Sequence, residues 1–173
     1  MPCKKEREKV AEIVRDAGGQ IVGRTRLQKV AYLLELTGLG SGFEFEYRHY
    51  GPYSESLFDA AQTANAFGLL NEEERIAKWG GRYSIYSITD SVDKSVDECR
   101  FKFASKAAQV GAVELELAAT AAYLFAVEHF SDPWAETVRR KPEKSAEGRL
   151  EKAREAYRSL LEFRTPKPLP QIV

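Results

Sequence analysis

The pattern of apolar and polar positions predicts a chain that is mainly helical at its start. Apolar residues recur every three or four positions in residues 3–17 and in residues 24–37, which is the spacing of one helix face. Gly18 and Gly19 end the first helix. Residues 20–22 form a short extended piece with too few apolar positions to stand without a partner strand.

Residues 43–50 alternate between apolar and charged side chains, which predicts a half-buried strand. The segment Tyr50-Gly51-Pro52-Tyr53-Ser54 follows; its proline fixes a backbone dihedral, and Ser54 suits the N-cap of a third helix over residues 54–67. Residues 75–79 and 82–89 then predict two strands joined by Gly80-Gly81, a hairpin that would form a wing.

The second half of the chain has the spacing of helices. Asp90 or Ser91 is expected to cap a fourth helix, with Cys99 as a packed thiol on its inner face. Residues 112–130 are rich in alanine and apolar on most sides, which predicts a buried central helix. Pro133 suits the first turn of a further helix.

These elements together predict an α+β fold, mainly α with a small antiparallel β element. We expect a winged-helix-like unit with a hairpin wing over residues 1–90. A helical bundle over residues 91–164 would pack on it to give one compact domain, and residues 165–173, broken by prolines, would form a loose tail.

Composition narrows the function classes. The chain has 173 residues with 26 basic and 26 acidic ones, and this zero net charge argues against a protein that mainly coats nucleic acid. Two cysteines and two histidines are too few for a disulfide framework or a zinc finger, so we expect no cofactor and no metal. Cys3 is expected to be an exposed thiol. No signal peptide or spanning segment is visible, which predicts a cytoplasmic protein.

Two groups of residues are candidates for partner binding. Arg24, Arg26 and Lys29 lie in the first half of the second helix, as a solvated rim or as a contact for a small anion. The second group, at the proline corner, pairs tyrosines with polar groups and predicts either a recognition surface or a purely structural corner: Arg48, Tyr50, Tyr53 and Ser54.

Nucleic acid is the alternative partner. Residues 139–167 carry ten basic residues against five acidic ones. The candidate contacts are Lys78 and Arg82 on the wing and Arg139, Arg140 and Lys141 in the basic stretch. The third helix opposes this reading, because it carries Glu55 and Asp59 and no lysine or arginine for phosphate contacts.

Six short pieces of the chain carry a resemblance to a known family: GRTRLQK at 23–29, FEY at 45–47, YGPYS at 50–54, GLL at 68–70, LELAAT at 115–120 and RRKPEK at 139–144. In their order and spacing they resemble the YwgA-like proteins of bacteria and archaea, relatives of the SocA–Panacea antitoxin domain. Panacea-type proteins neutralise small toxins by binding them, and SocA resembles an adaptor that delivers a toxin to a protease.

The resemblance implies a non-catalytic protein-binding module, antitoxin-like or adaptor-like, rather than an enzyme. This agrees with a sequence that shows no nucleophile with a base, metal cluster or phosphate loop. The implied partner is a small protein such as a toxin, or protease machinery, with no membrane involved. A DNA- or RNA-binding regulator of winged-helix type is the alternative, and a homodimer stays open.

Overall fold

The computed structural model describes residues 4–173, so the prediction for Cys3 lies outside the described residues. The first half contains, in chain order, α1 (Glu6–Asp16), β1 (Gln20–Val22), α2 (Arg24–Leu36), β2 (Glu46–Arg48), β3 (Gly51–Tyr53), α3 (Glu55–Ala66), β4 (Leu70–Ile76) and β5 (Arg82–Ile88). The second half contains α4 (Glu98–Ala108), α5 (Ala112–Ala126), α6 (Pro133–Arg140) and α7 (Arg149–Leu161).

The first half has the element order of a winged helix. Three antiparallel strands form a sheet in the order β1-β5-β4, with Ile21 of β1 opposite Tyr86 of β5. The short strand β1 thus finds the partner that its length requires, and Ile21 is buried. Helices α1, α2 and α3 complete the unit, and the predicted α+β fold class is confirmed.

The wing differs from its prediction in two ways. Strand β4 begins at Leu70 rather than at residue 75, because the buried Leu70 side chain anchors the strand opposite Ile88. The glutamates that follow lie on an edge strand, where charged side chains are tolerated. The turn is also longer than two residues, since the Ala77 amide donates to the Gly81 carbonyl at 2.7 Å.

Within the predicted strand over residues 43–50, only β2 has regular strand structure. Buried and exposed side chains nevertheless alternate at first, as expected. Phe43 is buried and Tyr47 half-buried, whereas Arg48 is exposed. The Glu35 carboxylate accepts the amides of Ser41, Gly42 and Phe43 at 2.7–2.9 Å, so these amides are not free for strand pairing. The chain then turns at residues 49–50, and β2 pairs with β3 in a two-stranded sheet.

Helix α5 is the centre of the second half, as its alanine-rich sequence predicts. It packs against α2, α6, α7 and strand β3. Its buried alanines allow neighbouring helices to approach closely, and each fully buried leucine on it adds about 2 kcal/mol of hydrophobic stabilisation. Nowhere in residues 4–173 does a helix combine the length and the apolar character needed to cross a membrane.

Helix α4 starts later than predicted. Its N-cap is Asp97, whose carboxylate accepts the Arg100 amide at 2.9 Å, so the prediction of a cap at Asp90 or Ser91 is wrong. Cys99 is half-buried rather than part of the core, and its thiol donates to the Arg164 carbonyl at 3.1 Å.

The prediction of a loose tail at residues 165–173 is wrong. Leu169 is buried, and two side chains of the helical half bind the tail backbone. The Trp134 indole donates to the Ile172 carbonyl at 2.8 Å, and the Tyr157 hydroxyl donates to the Pro170 carbonyl at 2.7 Å. Prolines exclude regular structure from this segment, but they do not prevent it from packing.

We predict that Leu169→Ala lowers the free energy of unfolding by about 2 kcal/mol, because a buried leucine is removed and a cavity remains. Ile76→Ala, at a position 71% exposed on the wing, is the matched control and should change stability little. Urea unfolding of both variants checks this. Equal small losses would mean that the tail is not held in solution.

Candidate functional site

The YGPYS segment forms the turn and second strand of the β2–β3 hairpin, and it lies directly against α5. Gly51 has a φ of 92°, and a Cβ atom there would come 2.4 Å from the Thr120 hydroxyl oxygen. Both facts require glycine at this position. We call residues 49–54 the corner.

Helix α2 holds the corner through Gln28. The Gln28 amide donates to the Ser54 carbonyl at 2.9 Å, and its oxygen accepts the Ser54 amide at 2.8 Å. The Ser54 hydroxyl accepts the Leu57 amide, so the predicted N-cap of α3 is confirmed. Ser54 is 1% exposed, which leaves it no surface to offer a partner.

Lys29, the residue after Gln28 on α2, also binds the corner. Its ammonium donates to the Pro52 carbonyl at 2.8 Å, and the residue is 1% exposed. The pKa of Lys29 is lowered to about 7, chiefly by burial; Glu116 acts in the opposite direction, and the neighbouring Lys141 and Lys144 contribute to the lowering. A lysine predicted as a surface contact is therefore a buried group.

A buried carboxylate links the corner to the second half of the chain. Glu116 on α5 accepts from the Lys141 ammonium at 2.8 Å and from the Lys144 ammonium at 2.8 Å. Lys141 also donates to the His49 carbonyl at 3.1 Å. Glu116, Lys29, Lys141 and Lys144 form what we call the lysine cluster. Lys141, which the sequence predicted as a nucleic-acid contact, is therefore buried and paired with an acid.

A cavity of about 170 Å³ opens beside the corner, between α2, α3 and β5. We call it the corner pocket. It brings together four of the predicted binding residues, namely Arg24, Lys29, Tyr50 and Tyr53. The remaining lining is largely apolar or aromatic: Thr25, Leu27, Gln28, Phe58, Ala61 and Tyr86. Pockets of this character receive apolar groups of ligands and partners.

Cations stack on both tyrosines of the pocket. The Lys144 ammonium lies 4.5 Å from the ring centroid of Tyr50, and the Arg48 guanidinium lies 4.9 Å from that of Tyr53. Arg48 also forms ion pairs with Glu46 and Glu55. Each cation–π contact contributes a modest stabilising free energy and restrains the orientation of its ring. Tyr50 is therefore held in place although it remains 51% exposed.

The arginines of α2 have separate partners. Arg24 binds the Glu72 carboxylate at 3.0 Å and lies over the Phe58 ring at the pocket. Arg26 donates to the Val22 carbonyl at 2.6 Å and to the Val110 carbonyl at 3.1 Å. Arg26 thus joins β1 to the loop before α5, and the structure does not bring it to the pocket lining.

The two arginines at the start of the basic stretch are paired with acids. Arg139 binds Glu136, and Arg140 binds both Glu136 and Glu128. These arginines hold the pKa of Glu136 down to about 2. Lys78 and Arg82 lie apart from them on the wing, where Arg82 is 3.5 Å from the Glu74 carboxylate.

Sequence reasoning missed four residues of this site: Gln28, Glu116, Thr120 and Lys144. One signal was available, since Glu116 is a charged residue inside a run of apolar ones and needs a counter-ion if buried. The pieces that carry the family resemblance also converge here: RTRLQK supplies Gln28 and Lys29, and three other pieces supply the corner, Glu116 with Thr120, and Lys141 with Lys144.

Comparison with known proteins supports part of that resemblance. The chain is similar to the uncharacterized protein YwgA of Bacillus subtilis (strain 168), with 28% identity over 131 residues, which are 72% of this chain and 77% of the relative. No protein-family model and no solved structure matches the chain. The YwgA-like part of the resemblance is thus supported, and the relation to the SocA–Panacea domain stays a prediction. Within residues 4–173, histidine, cysteine and acidic side chains form no cluster suited to a metal ion.

We predict that Glu116→Gln lowers the free energy of unfolding by roughly 3–5 kcal/mol, because Lys141 and Lys144 lose their buried counter-charge. Glu147→Gln is the matched control, since Glu147 pairs with Arg149 but is 77% exposed, and it should change stability little. Urea unfolding measures both. Equally small effects would contradict a buried cluster.

We predict a pH-dependent stability difference between the wild type and Lys29→Met. Because the pKa of Lys29 is lowered to about 7, the unfolded chain binds more protons than the folded chain between pH 7 and 10. The wild type should therefore gain stability relative to the variant as pH rises through this range, by at most about 1.4 kcal/mol per pH unit.

Urea unfolding of both proteins at pH 5, 6, 7, 8 and 9 tests this expectation. The difference should be flat below pH 6, where Lys29 is protonated in both the folded and the unfolded state. A difference that stays constant up to pH 9 would show that Lys29 is solvated rather than buried. Lys102→Met, at a side chain 61% exposed on α4, gives the contribution of a surface lysine.

Proposed function

We propose that this chain is a non-catalytic protein-binding module, antitoxin-like or adaptor-like, which sequesters or presents a partner protein through the corner. The corner pocket is the observation that carries the proposal. The pocket combines an apolar cavity with aromatic rings and two basic residues in its lining. Such a pocket suits an anchor side chain from a partner, because binding free energy concentrates in desolvated pockets.

Rigidity of the corner supports the same function. Gln28 and Lys29 hold its backbone from α2, and Lys141 holds it from the segment after α6. Tyr50 and Tyr53 are therefore presented by a backbone that is fixed before binding. Preorganisation reduces the entropy lost on association, which favours affinity for a small partner.

The type of partner follows from the resemblance rather than from the geometry. The SocA–Panacea relation suggests a small toxin protein, or protease machinery to which such a toxin is delivered. Binding of either kind needs a surface and no reacting group. The similarity to YwgA adds no activity, because that relative is described only as uncharacterized.

Nucleic-acid binding is the second candidate, and the wing tip favours it. Trp79 is 83% exposed there, between Lys78 and Arg82. An exposed tryptophan flanked by basic residues suits base stacking with phosphate contact. Helix α3 opposes this candidate, because it carries acids and no basic residue.

Affinity capture from the source cells, with and without nuclease, distinguishes the two candidates. The protein-binding proposal expects a small protein in stoichiometric amount that survives nuclease and is identified by mass spectrometry. Recovery of nucleic acid, with protein partners lost after nuclease, would instead support the wing. Trp79→Ala should then abolish capture, whereas the protein-binding proposal expects it to have no effect.

We predict that Tyr53→Ala weakens binding of the captured protein by about 30-fold without unfolding the chain, as expected for loss of a ring that lines the pocket for the partner's anchor side chain. Phe125→Ala, at a ring 39% exposed on α5, is the control and should leave affinity unchanged. Calorimetric titration gives both affinities, and urea unfolding gives both stabilities. If Tyr53→Ala lowers only stability, the corner is a structural element.

A further inference from the structure

A second opening lies between the wing and the start of α2. Its volume is about 400 Å³, and we call it the wing groove. The wing contributes Trp79 and the adjoining parts of β4 and β5, and α2 contributes its first turn, including Arg24 and Thr25. Arg24 and Thr25 also line the corner pocket, so the two openings are neighbours. The volume of the wing groove is within the range of small-molecule sites, which gives room for a group such as one nucleotide unit.

Trp79 forms one wall of the wing groove. A Cβ atom at Gly81 would clash with the benzene ring of its indole, so the indole is folded back onto the Gly81 backbone. Trp79 is nevertheless 83% exposed. The turn therefore restrains the indole while most of its surface faces solvent. An exposed aromatic ring held in this way is a platform on which the flat face of a base can stack.

Two exposed basic residues lie beside this platform. Lys78 precedes Trp79 in the chain and is exposed. The Arg82 side chain lines the groove, is 73% exposed and lies 3.5 Å from the Glu74 carboxylate. Because an exposed ion pair of this kind stabilises a protein little, a phosphate can share the Arg82 guanidinium with Glu74 at small cost.

Arg24 adds a third basic side chain from the side of α2. Its guanidinium is half-exposed and uses Nε and Nη2 to bind Glu72, which leaves donors for another acceptor. Arg26 also lines the groove, but it is half-buried and donates to two backbone carbonyls, so we assign it no ligand. The three remaining cations around one groove suit two or three phosphates.

The surroundings of the wing groove favour a single strand over a duplex. A duplex bound to a winged-helix unit receives the third helix in its major groove, where cations on that helix would contact phosphates. Here α3 carries Glu55 and Asp59 and no basic residue. Bases inside a duplex are also stacked on one another, whereas those of a single strand have faces free for Trp79.

We infer that the wing groove binds a short stretch of single-stranded nucleic acid, with one base stacked on Trp79 and the adjacent phosphates at Arg24, Lys78 and Arg82. This inference rests on the second candidate function and adds the form of the nucleic acid and the residues that contact it. A chain of zero net charge is compatible with such a site, because two or three phosphates need no broad basic surface.

Tryptophan fluorescence tests the inference on the full chain. The chain has two tryptophans and Trp134 is buried, so a change in fluorescence on titration reports Trp79. The probes are a twenty-nucleotide oligothymidylate, the same strand paired with oligoadenylate, and an abasic strand of equal length and charge. We expect the oligothymidylate to quench the fluorescence and to bind at least about tenfold more tightly than the other two, the size of one stacking contact. The logarithm of its affinity should fall by about 1.4–2.1 per decade of salt, as for two or three phosphates of a single strand.

Two pairs of wing variants locate the contacts, with affinities taken from the anisotropy of a labelled strand. Trp79→Ala should weaken binding about tenfold, whereas Ile76→Ala, at an exposed apolar residue outside the groove lining, should not. Arg82→Gln should weaken binding and reduce the salt slope by about 0.7. Arg75→Gln makes the same charge change on β4, at an arginine that binds Glu73 outside the lining, and should alter neither quantity. The comparison of probes uses the wild type, so it does not depend on the folding of any variant.

The outcomes separate this inference from the candidate function on which it rests. Equal affinity for the oligothymidylate and the abasic strand, tighter binding of the duplex, or full affinity in Trp79→Ala would each overturn the inference. If nucleic acid is nevertheless recovered by affinity capture from cells, the second candidate function holds at another surface. If no nucleic acid is captured and no strand binds, both are overturned, and protein binding through the corner is unaffected.

Discussion

A buried carboxylate fixes the arrangement of this molecule. Glu116 is buried on the most apolar helix, where an unpaired charge would cost several kcal/mol, so Lys141 and Lys144 must reach it. Lys141 extends the connection to the His49 carbonyl at the corner. Helix α5, the segment after α6 and the corner therefore form one unit, and the corner pocket depends on all three.

The first half of the chain binds the corner from its other side, through helix α2. Gln28 and Lys29, adjacent on α2, take up the backbone groups of Ser54 and Pro52 that the short hairpin leaves unpaired. Among residues 4–173 no other strand reaches these groups, since β2 and β3 form a sheet of their own. The corner is thus held by side chains rather than by a sheet. Its shape therefore depends on a few specific residues.

Sequence reasoning succeeded where the signal is local. Helix periodicity gave α2 and α5, and a serine after a proline turn gave the cap of α3, because these features depend on neighbours in the chain. It failed where distant groups pair. Gln28 and Ser54 are 26 residues apart and Lys141 and Glu116 are 25 apart, and no periodicity encodes such contacts. Counting charges along the chain also led to the prediction that Arg140 is available for nucleic acid, although Glu128 and Glu136 bind it.

Helix α2 holds the corner and lines the pocket with neighbouring residues. Lys29 is buried without a carboxylate of its own, because its ammonium satisfies the Pro52 carbonyl beneath the corner. An apolar side chain of similar volume would leave that carbonyl unpaired, which costs about 1–3 kcal/mol. The pocket therefore presents the exposed ring of Tyr50 and the guanidinium of Arg24 to solvent, while Lys29 fixes the backbone beside them.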